Sequence, residues 1–360
     1  MNARVTIAAA IISLAVGYLV VAQRTGQALE RTGTTVAAVA VDEHAGHKLT
    51  STEKVALMAA AGDVHAGHAL EELAWAPLQA APNNPKLPAD ADGAKQRLSS
   101  SPRKGEFVKI TVNGRPITHW VAHPQGSAKV PVVVVIQEVF GLADWIRGVA
   151  DQVAAEGFIA IAPDLLSGRG PNGGDTPSFA NDMDRVAATR AVPRAEVTAI
   201  LKAAREYGLK LGSANGRSAS VGFCFGGGES FRLAIDEPGL NAAVVYYGTS
   251  PTDAPPPAQP QTPPPPFVAS ERLANINAAV LGLYGGIAED LNIGRTVAPT
   301  LERMRALKKI YEPHFFDGAA HGFLRAQTGN NGANMRASEQ AWPMTVGWIK
   351  KYTAASGPTQ

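Results

Sequence analysis

The 360-residue chain is 45% hydrophobic and 18% charged, the balance of a globular protein with one large domain or two modest ones. A net charge of +2 offers no concentrated basic face for nucleic acid and no acidic tail. The single cysteine, Cys224, excludes an intramolecular disulfide and is either a small buried hydrophobe or a reactive thiol.

At the N-terminus, Arg4 precedes an apolar run over residues 5–22, interrupted only by Thr6, Ser13, Gly17 and Tyr18 and closed by Gln23 and Arg24. The run is long for a signal-peptide core and near the short limit for a spanning helix. Residues 1–23 therefore read as an export signal or an uncleaved membrane anchor. Either would carry the rest of the chain to the periplasm or the outer face of the cytoplasmic membrane. Residues 24–103 are rich in Ala, Gly, Pro and polar side chains and read as a low-order tether. This stretch holds a small repeat, with Asp42 before His44 and His47, and Asp63 before His65 and His68. Four histidines and two carboxylates are donors a transition metal accepts. Nothing in the sequence fixes the two copies relative to one another, so a solvated linker is the favoured reading and no metal is assigned.

From residue 104 to about 356 the pattern is that of an α/β domain. Residues 107–112 and 117–122 alternate as strands around Asn113-Gly114, a strong hairpin signal. Residues 132–136 are a continuous apolar run, as expected of a strand buried on both faces of a parallel sheet. Helical spacing over 142–155 precedes a strand over 158–162. A helix at 194–207, a strand at 218–222, a helix from 226 and a strand at 242–247 follow. Strands at 279–284 and 311–316 then bracket a helix at 298–308, and a last helix covers 337–352. This alternation predicts right-handed crossovers and a doubly wound, mostly parallel sheet with flanking helices. The proline-dense stretch 251–266 reads as a surface insertion.

The strongest chemical signal is Gly222-Phe223-Cys224-Phe225-Gly226-Gly227, between a predicted strand and helix. It has the form of a nucleophile elbow, glycines flanking a nucleophile on a sharp strand-to-helix turn, with Cys in the place usually held by Ser. The elbow sets the sulfur at a helix N-terminus, where the dipole and unsatisfied N–H groups favour a thiolate and, later, an oxyanion. The general base of such a site comes last in chain order, after the acid. His321, in Ala320-His321-Gly322 beyond the last predicted strand, is the histidine in that position.

Gln137-Glu138-Val139-Phe140-Gly141, the elbow at 222–227, and His321-Gly322-Phe323-Leu324-Arg325 together resemble the dienelactone hydrolase family of the α/β-hydrolase superfamily. The likeness runs from about residue 107 to 352. It implies an α/β-hydrolase fold and a metal-free, cofactor-free Cys-His-Asp triad that opens a small ester or lactone through an acyl-thioester. On the family pattern Cys224 is the nucleophile and His321 the base. Glu138 matches the carboxylate that assists thiolate formation, the backbone N–H groups of Val139 and Phe225 the oxyanion hole, and Arg325 an arginine that grips a substrate carboxylate. A second arginine is expected among Arg185, Arg190 and Arg194. The acid loop departs from the pattern: Ala288 stands where Asp is expected, leaving Asp290 as the favoured acid, with Glu289 or loss of the acid as alternatives. The rival reading is a membrane-tethered binding protein on a degenerate hydrolase scaffold, with metal held by the His-Ala-Gly-His repeats.

Overall fold

The computed structural model describes residues 84–103, 105–254 and 265–354. The apolar run at 5–22, the histidine repeats and most of the proline-dense insertion lie outside the described residues.

The hairpin appears where Asn113-Gly114 predicts it. Strands β1 (Gly105–Val112) and β2 (Arg115–Ala122) pair antiparallel, with positive φ at Asn113 (50°) and Gly114 (78°), the twist a two-residue hairpin turn needs. Then come β3 (Val130–Ile136), β4 (Ile159–Pro163), β5 (Ala214–Phe223), β6 (Ala242–Tyr246), β7 (Ala279–Gly285) and β8 (Tyr311–Phe316). They form one sheet in the order β1-β2-β4-β3-β5-β6-β7-β8. All pairings from β4 to β8 are parallel.

The valines of β3 explain the layering. Val132, Val134 and Ile136 join one apolar cluster, Val133 and Val135 the other, because successive side chains leave opposite faces of a strand. All five are fully buried, at about 1.5–3 kcal/mol for each large aliphatic side chain. Helices are numbered in chain order: α1 (Ala94–Ser99), α2 (Asp144–Ala155), α3 (Asp182–Ala191), α4 (Arg194–Leu209), α5 (Phe225–Asp236), α6 (Leu291–Ala306) and α7 (Ala333–Thr353). α2 and α7 cover one face with Trp145, Val149, Trp342 and Ile349. The other face carries α4, α5 and α6 with Ile200, Phe231 and Val297.

Two regions depart from expectation. α6 begins at Leu291, well before the residue-298 start that periodicity suggests, and α3 is absent from the sequence reading. Residues 84–103, read as the end of a low-order tether, are packed. Leu87 and Ala94 are buried, Trp145 Nε1 donates to the Ala89 carbonyl (3.1 Å), and Arg103 forms a two-point ion pair with Asp151 (3.1 and 2.7 Å). The packed unit thus begins by residue 84, not 104. Its grip combines a few apolar contacts with polar and backbone bonds, too sparse a pattern for hydrophobic periodicity to register. Among the described residues, no helix is long and apolar enough to cross a membrane.

Candidate active site

β5 ends at Phe223 and α5 starts at Phe225, so Cys224 carries the whole reversal. It holds φ 54° and ψ −115°, a conformation that costs of order 1–3 kcal/mol for a residue with a side chain. The flanking glycines are required by contact. A Cβ on Gly222 would lie 1.9 Å from the Gly226 carbonyl oxygen, and one on Gly226 would lie 2.4 Å from the carbonyl oxygens of Ile136 and Gln137. The turn is held by the Cys224 N–H donating to the Tyr246 carbonyl (3.1 Å). Cys224 caps α5 and is only 5% exposed, so the thiol lies on the floor of the site.

His321 and Asp290 follow the last two strands of the sheet order. His321 follows β8, and Asp290 follows β7 as the residue that opens α6. Asp290 Oδ2 lies 2.8 Å from His321 Nδ1, and both residues are buried. Glu289 is partly exposed and its carboxylate folds over Gly286, so Asp290 is the carboxylate at the ring. The loop before Asp290 is tied to the loop before His321 by the Gly286 N–H donating to the Ala319 carbonyl (2.9 Å).

Cys224 also acts on the His321 ring. Burial of the ring pulls its pKa down. The charge of Asp290, the Cys224 sulfur and hydrogen bonds to both outweigh burial, and the imidazole ends well above its usual range. The surroundings of the ring favour its protonated form.

Glu138 is 1% exposed at the end of β3, and its Oε2 lies 3.3 Å from Arg325 Nε. The Arg325 guanidinium also sits 4.6 Å above the centre of the Phe140 ring. Val139 and Phe140 pack with Val186 of α3 and against Phe225. The Phe225 N–H is among the first of α5, which have no acceptor within the helix. Among the three arginines in the 178–194 region, Arg185 is paired with Asp182 (2.8 Å), and Arg194 is exposed and acts electrostatically on buried Glu229. Arg190 is partly buried, directly after Thr189, whose hydroxyl donates to the Val139 carbonyl (3.0 Å).

Tyr247 is a site neighbour that sequence reasoning missed. It is fully buried at φ 36°, with its ring 5.0 Å from that of His321. The doublet Tyr246-Tyr247 before Gly248 at a strand end was its only sequence signal. Among the described residues, no cluster of three or more His, Cys, Asp or Glu could hold a metal ion. The histidines of the rival reading lie outside them.

Residues 117–353 match the profile of the dienelactone hydrolase family. A protein named "Putative carboxymethylenebutenolidase" from Escherichia coli O157:H7 is 31% identical over 252 residues, covering 68% of this chain and 86% of that protein. One of the same name from Methylorubrum extorquens is 30% identical over 243 residues, covering 67% of this chain and 77% of that protein. The crystal structure titled "Putative Dienelactone Hydrolase" from Klebsiella pneumoniae superposes with a TM-score of 0.59 at 27% identity, covering 70% of this chain and all of that one. With a profile match over more than half its length, the chain belongs to the dienelactone hydrolase family and is a hydrolase.

Proposed function

We propose that the protein hydrolyses a small carboxylate-bearing ester or lactone by acylating Cys224. The observation that carries this reading is the buried His321–Asp290 hydrogen bond, with Cys224 acting on the same ring, beyond the C-terminal ends of β5, β7 and β8. In this mechanism the thiolate attacks the acyl carbon, forming a C–S bond, and the carbonyl oxygen becomes an oxyanion facing the N–H groups of Val139 and Phe225. Collapse breaks the C–O bond, and the leaving alkoxide takes a proton from the His321 imidazolium. His321 then removes a proton from water, which attacks the thioester. The C–S bond breaks, and the returned proton restores the starting pair. Asp290 fixes the imidazole tautomer throughout.

Arg325 supplies the preference for a carboxylate. Its present partner, Glu138, is an anion of the kind a substrate would present. A substrate carboxylate that takes over Arg325 displaces Glu138 from its ion pair, so the arginine exchanges one carboxylate for another. The experiment is a screen of purified protein against lactones and short esters, with and without a free carboxylate, using iodoacetamide-blocked protein as control. Turnover that disappears with the blocked thiol supports the reading; turnover that survives alkylation defeats it.

We also propose export, on the apolar run at 5–22 following Arg4. Fractionation of expressing cells tests it, and recovery of the full-length chain in the soluble cytoplasmic fraction would overturn it.

A further inference from the structure

The loop from Gln137 to Leu142 carries both Glu138 and the Val139 N–H, yet it is an irregular segment between β3 and α2. An oxyanion donor must be aimed to within a few tenths of an ångström, so something has to hold this loop rigid. Three side-chain bonds do so. Gln137 Oε1 accepts from the Leu165 N–H (3.1 Å), and the Val139 carbonyl accepts from Thr189 Oγ1 (3.0 Å). At the loop's far end, Thr176 Oγ1 accepts from the Leu142 N–H (3.0 Å) and donates to Asp164 Oδ1 (2.7 Å).

The third bond is a relay. Thr176 is 2% exposed and Asp164 1%, and the carboxylate accepts in addition from the backbone N–H groups of Thr176 and Leu166, both at 2.9 Å. The relay sits flush against the loop: a Cβ on Gly141 (φ 79°) would lie 2.2 Å from Thr176 Oγ1. A single hydroxyl therefore both receives the loop's N–H and fills the space beneath its left-handed turn. It connects that turn to the end of β4, a strand already locked between β2 and β3.

We infer that Thr176, supported by Asp164, is a positioning residue that aims the Val139 N–H at the transition-state oxygen, with Thr189 acting in the same way from α3. The inference rests on the ester-hydrolase reading above. It separates chemically from any effect on the triad, because alkylation of Cys224 by iodoacetamide needs the thiolate but no oxyanion hole.

Thr176→Val keeps the volume and removes the hydroxyl; Thr176→Ser keeps the hydroxyl. For Thr176→Val the expected result is a fall in kcat of about tenfold or more, a fraction of the 10²–10³ lost when an oxyanion donor is removed outright. KM and the iodoacetamide rate constant should stay within about twofold of the parent by the same reasoning, and Thr176→Ser should recover most of kcat. The inference is overturned if kcat of Thr176→Val equals that of the parent, or if alkylation slows in step with kcat. Should Thr176→Val fail to fold, Thr189→Val is read by the same criteria. A parent chain that turns over no ester or lactone defeats the hydrolytic reading and this inference with it. A parent that turns over alongside an equally active Thr176→Val defeats this inference alone.

Discussion

Two residues at the site show how much chemistry depends on a short contact. Asp290 meets His321 at 2.8 Å from a loop that follows β7. Replacing it by Asn keeps the shape but favours the wrong tautomer, and kcat should fall on the order of 10⁴-fold, as when a serine triad loses its acid function. Full activity in Asp290→Asn would show that another group orients the ring. The raised affinity of His321 for its proton makes a second prediction. The imidazolium, complete below its usual pKa of 6.5, persists until the pH rises through a much higher folded value. Alkylation of Cys224 should therefore change little between about pH 6 and 8, whereas in His321→Asn it should climb about tenfold per pH unit toward the ordinary thiol value near 8.5. Parallel pH profiles for parent and variant would contradict the ion pair. Cys224 and His321 were legible in the sequence because glycine sterics and chain order are local or ordinal signals. Asp290 was only one option among neighbours, since loop length alone does not say which carboxylate turns inward. Thr176 and Asp164 carry no local signature, as their meaning lies in a bond to a loop more than thirty residues upstream of the threonine.

Among the elements, the packed strands and hairpin were readable from period-two alternation and Asn-Gly chemistry, and the helices of the second half from apolar spacing. α3 was not, because its ten residues are polar and short; it is announced instead by Asn181, whose side chain accepts from the Asp184 N–H (3.0 Å). The strap at 84–103 is the larger surprise. It donates from the Ala91 N–H to the Arg325 carbonyl (2.9 Å), and its Pro88 carbonyl accepts from Gln327 (2.8 Å), so it braces the loop that carries His321 and Arg325. Its firmest anchor is Asp151 of α2, 4% exposed, which accepts from Arg103 and Ser101. Asp151→Asn should cost about 1.5–3 kcal/mol, the worth of charge-assisted hydrogen bonds, and should speed tryptic cleavage between residues 84 and 103. Unchanged cleavage would mean that the strap is held mainly by Leu87, Ala94 and its backbone bonds.

For the whole molecule, His119 on β2 is one group that weakens the fold in acid. The ring is fully buried, its Nδ1–H donates to the Ile117 carbonyl (2.8 Å), and burial pushes its pKa down to about 4. The unfolded chain takes a proton near 6.5, where the folded chain does not. The stabilising contribution is therefore complete above that pH and disappears as the pH falls toward 4. Asp164 and Glu229 work in the opposite sense, since burial raises both and makes the folded state the better proton binder. The His119 contribution is isolated by His119→Phe, which fills similar space without titrating. Between pH 7 and 4.5 the variant should lose about 2–3 kcal/mol less stability than the parent in urea titrations. Equal losses would mean that the ring is reached by solvent before the fold opens.

The order of strands has a further effect. Cys224 follows β5, at the middle of the sheet, but His321 hangs from β8, the last strand, which is paired on one side only among the described residues. Margins of a sheet open at lower free energy than its centre. Heating should therefore peel the imidazole away from a sulfur that is still firmly seated, and turnover should cease several degrees before calorimetry registers the collapse of the interior. The catalyst would go quiet while its scaffold remained intact, and cooling from that window should restore it.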